Sequence, residues 1–299
     1  MHKLLVATLA MLTSAMVGSP VMAGSVIEAI ETTGVLVAGT SKDAFPFAFQ
    51  DERGELVGYS IDMMRLIQEE LAKELGRPVR LQLVALKPEE RIPKIEAAAV
   101  NLVCDASSFT WERDESVDFS VSYAITGTQL LVPVGSTLSD PESLRGKRVG
   151  ALARTTNEQA IRTKQPEAEI VLLQDRDSGY RALANGEIDA FADDGMLLYS
   201  WLARSSTPSP FKVAADSYSK EGIACMMPEN NSRFQGIVNK ALVRYMQGFL
   251  ANRSPYVDIF ERWFGPNSKV PATRERRDLY IETMQLIVDF KEELPSKDL

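Results

Sequence analysis

Twice along this chain, short apolar runs alternate with stretches whose apolar residues recur at helical spacing. That double alternation restricts the fold more than any other feature of the sequence. The first round begins with "VLVAGT" (35–40), a buried strand, and a loop or hairpin with "ERGE" at its tip. "SIDMMRLIQEELAKELG" (60–76) follows as a helix: Ile61, Met64, Ile67, Leu71 and Leu75 fall on one face, Ser60 can cap its start and Gly76 its end. "VRLQLVAL" (79–86) reads as a strand, "KPEERIPKIEAAA" (87–99) as a helix with a proline in its first turn, and "VNLVC" (100–104) as a third strand. The second round runs from "LRGKRVGAL" (144–152) through helices at 155–165 and 178–187, strands at 169–174 and 188–193, and a helix at 195–203. A strand at 222–228, helices at 232–250 and 255–265, and an amphipathic tail helix with a polar end complete the chain. Strand–helix–strand order of this kind specifies mainly parallel sheets covered by helices, so two α/β units are expected.

The first residues are of a different kind. His2 and Lys3 precede the apolar run 4–17, and "VMA" (21–23) has the small or modest residues of a cleavage site. This is the pattern of an export signal cut after Ala23. No later apolar run is long enough to span a bilayer, so the expected product is exported and free of membrane anchors. The signal carries the only histidine. Without it the chain has no Ser–His or Cys–His nucleophile and no usual histidine-containing zinc site, and neither a metal nor a cofactor is expected. The formal charge of −8 argues against nucleic acid as a partner. Outside the cytoplasm Cys104 and Cys225 are either a disulfide or two buried thiols, and their spacing does not choose.

Ligands of open parallel sheets lie beyond the carboxyl ends of the strands. There the chain places Ser41, Lys42, Phe45 and Phe47 after the first strand. It places Ser107, Ser108, Thr110 and Arg113 after the third, Thr155 and Thr156 at a helix start, and Asp193 and Asp194 in the second unit. Each has a plain alternative: Thr156 as an ordinary helix cap, Arg113 as a solvated charge among acids, Asp194 as a cap for the next helix. Together they are more specific. An arginine with hydroxyls suits a carboxylate, an aspartate suits an ammonium, and aromatic rings suit an aliphatic portion; the combination describes a zwitterionic α-amino acid.

The segments "GELVGYSIDM" (54–63), "RIPKIE" (91–96), "ERDESVDFS" (112–120), "TGTQLLV" (126–132), "TTNEQAIR" (155–162), "IDAFADDGMLL" (188–198) and "FERWFGP" (260–266) stand in one order and spacing. In this the chain resembles bacterial periplasmic amino-acid-binding proteins of ABC importers (solute-binding protein family 3), in the glutamate/aspartate-binding branch. The likeness covers nearly all of the chain after the signal. It implies a type II periplasmic binding fold: two α/β lobes joined by two crossover strands, near 127–133 and 219–225, closing on the ligand like a hinge. The expected division is a signal at 1–23, lobe 1 at 24–129 and 222–270, lobe 2 at 130–221, and a C-terminal helical extension at 271–299.

The resemblance assigns the ligand α-carboxylate to Arg113 with Ser108 and Thr156, the α-ammonium to Asp194, and an acidic side chain to Arg91 and Arg176. Arginine at 176 would keep its charge at any physiological pH. The chain departs from the family at Ser41, where acidic-ligand relatives carry an arginine, and at Pro88, Ala106 and Arg154, so the side-chain pocket is rebuilt. The resemblance also brings "GIAC" beside "NLVC", which implies a Cys104–Cys225 disulfide. The expected working unit is a monomeric receptor that hands an amino acid to ABC permease subunits. An enzyme on the same fold, similar to cyclohexadienyl dehydratase, is a competing expectation, with Glu89, Glu90 or Asp193 as its acid or base. A ligand-sensing receptor is another.

Overall fold

The computed structural model describes residues 25–205 and 208–291. The export signal with its cut after Ala23 and the polar end of the tail lie outside the described residues. Two five-stranded sheets form the two lobes of an α/β fold. In the first, Val35–Thr40 lies between Arg80–Ala85 and Leu102–Val103 and is parallel to both. Met226–Met227 then joins antiparallel to Leu102–Val103, with Asp118–Phe119 at the edge. In the second, Glu169–Leu173, Arg148–Leu152 and Ala190–Asp194 are parallel, and Thr128–Pro133 and Phe211–Val213 add antiparallel strands.

The chain passes between the sheets through Ala124–Thr126 and Glu221–Ile223, which pair antiparallel. Ala124–Thr126 lies just before the expected crossover at 127–133, because Thr128–Pro133 already belongs to the second sheet, whereas Glu221–Ile223 lies within the expected 219–225. The two passages come very close. A Cβ on Gly127 would sit 2.2 Å from the Ser219 carbonyl oxygen, so only glycine fits. The expected strand 222–228 is broken at Ala224 and Cys225, where Cys225 is bonded to Cys104 with Cα atoms 4.4 Å apart. The disulfide implied by the family resemblance is therefore present, and it joins two neighbouring strands of one sheet.

Local chemistry moved several helix ends. The helix after the hairpin begins at Tyr59, not after a Ser60 cap. Ser60 is buried one position inside it and hydrogen-bonds the Tyr123 hydroxyl at 2.8 Å. Its end at Gly76, with φ of 62°, is as expected. The predicted helix 87–99 is a 3-10 turn at Pro88–Glu90 followed by a short helix Arg91–Glu96. The helix expected from 178 starts at Arg176, because Asp175 and Ser178 form a reciprocal capping box. The tail helix Arg274–Asp289 packs on Ser232–Leu250 of the first lobe, burying Tyr280 and Met284. Its Arg276 guanidinium also stacks on Tyr199 of the second lobe, 3.9 Å from the ring centre.

Candidate ligand-binding site

The carboxyl ends of both parallel sheets face one cleft, and the lobes touch across it. Arg176 Nη1 donates to Asp43 Oδ1 at 3.0 Å, Arg113 Nη2 donates to the Arg154 carbonyl at 3.2 Å, and Gln159 donates to Glu112 at 3.2 Å. Arg204 stacks on Phe45 at 4.3 Å.

Arg113 sits in a single helical turn, Trp111–Asp114, whose start is capped by the Thr110 hydroxyl. The turn holds the guanidinium beneath the loop it came from, where Nη1 donates to the Ser108 carbonyl at 2.8 Å. Among the described residues Arg113 has no ion-pair partner. Burial, followed by the neighbouring charge of Arg91, lowers its pKa. Asp194 ends the central strand of the other lobe and is 2% exposed. It stands at the cap position of the helix Gly195–Arg204 but makes no side-chain cap bond there, and its Oδ1 has no hydrogen-bond partner. The plain capping alternative for Asp194 therefore fails. Burial pushes its carboxyl well above the ordinary range, and the negative charges of Asp193 and Glu221 push in the same direction. One guanidinium and one carboxyl group thus come from opposite lobes, and among the described residues neither has an ion-pair partner.

The other two site arginines are in the opposite condition. Arg91, at the start of Arg91–Glu96, holds Asp105 Oδ2 at 2.7 Å, with both side chains buried. Ser41 is part of this knot: its hydroxyl donates to Asp105 Oδ2 at 2.9 Å and accepts from Arg91 Nη2 at 2.9 Å. Ser107 donates to the other Asp105 oxygen. Arg176 reaches Asp193 through Nε at 2.7 Å and Nη2 at 3.3 Å, while its Nη1 holds Asp43. Burial pulls the Arg176 pKa down, but the charges of Asp193 and Asp43 outweigh it and keep the guanidinium protonated.

The expected residues are thus not used alike. Arg113, Ser108, Asp194, Arg91, Arg176 and Ser41 converge on the cleft. Thr156 opens the helix Thr156–Lys164, but the capping hydroxyl is that of Thr155, which accepts from Glu158 N at 3.2 Å. The plain cap reading of Thr156 is therefore corrected by one residue. Phe45 lies to one side, lining a separate cavity with Lys42, Tyr180, Trp201 and Arg204. Glu90 accepts from the Lys87 amide at 2.8 Å, and Asp193 is engaged by Arg176, which leaves neither free as a catalytic base in this arrangement. Sequence reasoning assigned no role to Asp43, Asp105 or Glu221. Asp105 carried the clearest signal: an acid placed directly after a buried strand, where an ionised group needs a partner. Among the described residues no group of three or more His, Cys, Asp and Glu side chains is arranged to hold a metal, and no helix is long and apolar enough to cross a membrane.

Residues 36–266 match the family model described as bacterial extracellular solute-binding proteins, family 3. An L-glutamate/L-aspartate-binding protein of Pseudomonas aeruginosa is 29% identical over 284 residues, covering 89% of this chain and 92% of that protein. A glutamate/aspartate import solute-binding protein of Salmonella typhimurium is 27% identical over 252 residues, covering 83% and 82%. Among solved structures, an ancestral arginine-binding protein bound to glutamine superposes with a TM-score of 0.68 at 27% identity, covering 78% of this chain and 98% of that one.

Proposed function

Because the chain belongs to the bacterial extracellular solute-binding proteins, family 3, we propose that it is an exported receptor that captures an α-amino acid between its lobes and delivers it to an ABC permease. The observation that carries the reading is the pair of uncompensated charges. Arg113 has donors and no carboxylate, and Asp194 has a buried acceptor and no cation. A zwitterion supplies both missing partners in one molecule, its carboxylate to Arg113 and its ammonium to Asp194. Since the two groups come from different lobes, the ligand that satisfies both also holds the lobes together, which couples binding to closure.

Receptor function is favoured over catalysis because two of the three acid and base candidates, Glu90 and Asp193, are held in internal bonds and the matched relatives carry the names of binding proteins. Delivery to a permease and residence in the periplasm are supported by membership of the family and by the export-signal pattern of the first residues; action as a monomer is part of the same proposal. An acidic side chain is supported by the names of the Pseudomonas and Salmonella relatives and by the presence of Arg91 and Arg176 in the cleft. Against an acidic side chain stands the pairing of both guanidiniums with aspartates, so the ligand proposed is an α-amino acid, with no commitment to an acidic one.

Calorimetric titration of ligand-stripped protein with the twenty amino acids and common dicarboxylates tests the proposal. Tight binding of at least one α-amino acid, without turnover, is expected. Failure of every α-amino acid to bind would overturn it.

A further inference from the structure

We propose that Asp105 sets the side-chain selectivity of the cleft: by occupying the Arg91 guanidinium from within, it makes the site prefer an uncharged polar side chain over a carboxylate. The inference rests on the reading of Arg113 and Asp194 as the α-amino-acid clamp and concerns only what lies beyond that clamp.

Asp105 is 0% exposed and fixed from several directions. Arg91 and Ser41 hold one carboxylate oxygen, Ser107 holds the other, and the Tyr123 hydroxyl donates to its backbone carbonyl at 2.6 Å. A carboxylate held by this many donors stays where it is. The positive charge Arg91 could offer a ligand is therefore already balanced at 2.7 Å. A second carboxylate brought to the same guanidinium would lie beside Asp105 and be repelled by it.

Arg176 offers no substitute. Its Nε, Nη1 and Nη2 are all committed to Asp193 and Asp43. What stays open on Arg91 is a single donor: its Nε is buried and has no hydrogen-bond partner. The oxygen of a carboxamide can accept from it without bringing a second negative charge beside Asp105.

The experiment compares isosteric pairs, glutamine against glutamate and asparagine against aspartate, by calorimetry on ligand-stripped protein with its disulfide intact. In whichever pair binds, the uncharged member is expected to bind the unmodified protein at least about tenfold more tightly. Asp105→Asn keeps the shape and releases the charge of Arg91, so it should shift the ratio toward the carboxylate member by about tenfold or more. Asp105→Ser is a second variant should the first fold poorly, and the ratio in the unmodified protein is decisive by itself. Tighter binding of the carboxylate member by the unmodified protein, an unchanged ratio in a folded Asp105 variant, or binding of other amino acids but of neither pair would each overturn the proposal. Absence of binding by every amino acid would instead overturn the clamp beneath it.

Discussion

The three arginines of the cleft share a residue type, Arg91 and Arg176 buried and Arg113 half-buried, yet they fall into two classes. Arg91 and Arg176 are neutralised by aspartates that arrive from elsewhere in the chain, whereas Arg113 is held only by backbone carbonyls. The acids divide in the same way: Asp105 and Asp193 are paired, and Asp194 is not. A buried charge whose partner belongs to the protein contributes to folding, and removing one member leaves the other stranded. A buried charge without a partner costs stability until a ligand supplies one. The same chemistry therefore serves stability at one end of the cleft and recognition at the other.

The largest expected effect tests the stability half of this division. Arg176→Ala strands Asp193 and weakens the link to Asp43, and should lower the stability of the ligand-free protein by about 3 to 5 kcal/mol in chemical denaturation. Arg113→Ala should do the reverse. It should change ligand-free stability by less than about 1 kcal/mol, while affinity for every α-amino acid falls by about 2 to 5 kcal/mol, or roughly thirtyfold to several thousandfold. Equal losses of ligand-free stability in the two variants would erase the distinction.

A smaller effect comes from Asp194. Its folded carboxyl lies above the ordinary range, chiefly because it is buried. A carboxyl raised in this way contributes stability that is fully present below the unfolded pKa and lost as pH rises through the folded one. The ligand-free protein should therefore weaken as pH climbs through that window. An ammonium ligand needs the ionised form, so binding releases a proton, and affinity should rise with pH by at most about tenfold per unit until the folded pKa is passed. Calorimetry in buffers of different ionisation enthalpy counts that proton. Proton uptake, or affinity that is flat across acidic pH, would place the ammonium elsewhere.

Much of the architecture was legible in advance because it depends on local periodicity. The alternation of strands and helices, the Gly76 stop and the position of Asp194 at a strand end follow from spacing and from where parallel strands terminate. Helix starts were less legible at Ser60 and at Arg176. In the first case a hydroxyl that could cap is drawn inward to Tyr123, and in the second a cap lies two residues earlier in Asp175. The short turn that carries Arg113 was also hidden, since four residues are too few for a helical period to show.

The sequence by itself determined the two α/β rounds, because these are carried by neighbours along the chain, and it supplied the residue types from which the proposed zwitterion clamp is drawn. Only the tertiary structure decided which charges are free. Ser41 and Asp105 are 64 residues apart, and Asp43 and Arg176 are 133 apart. No local pattern ties such residues together. Their pairing depends on which strand ends the two sheets bring to one cleft, and a buried charge takes whichever counter-charge the fold delivers within reach.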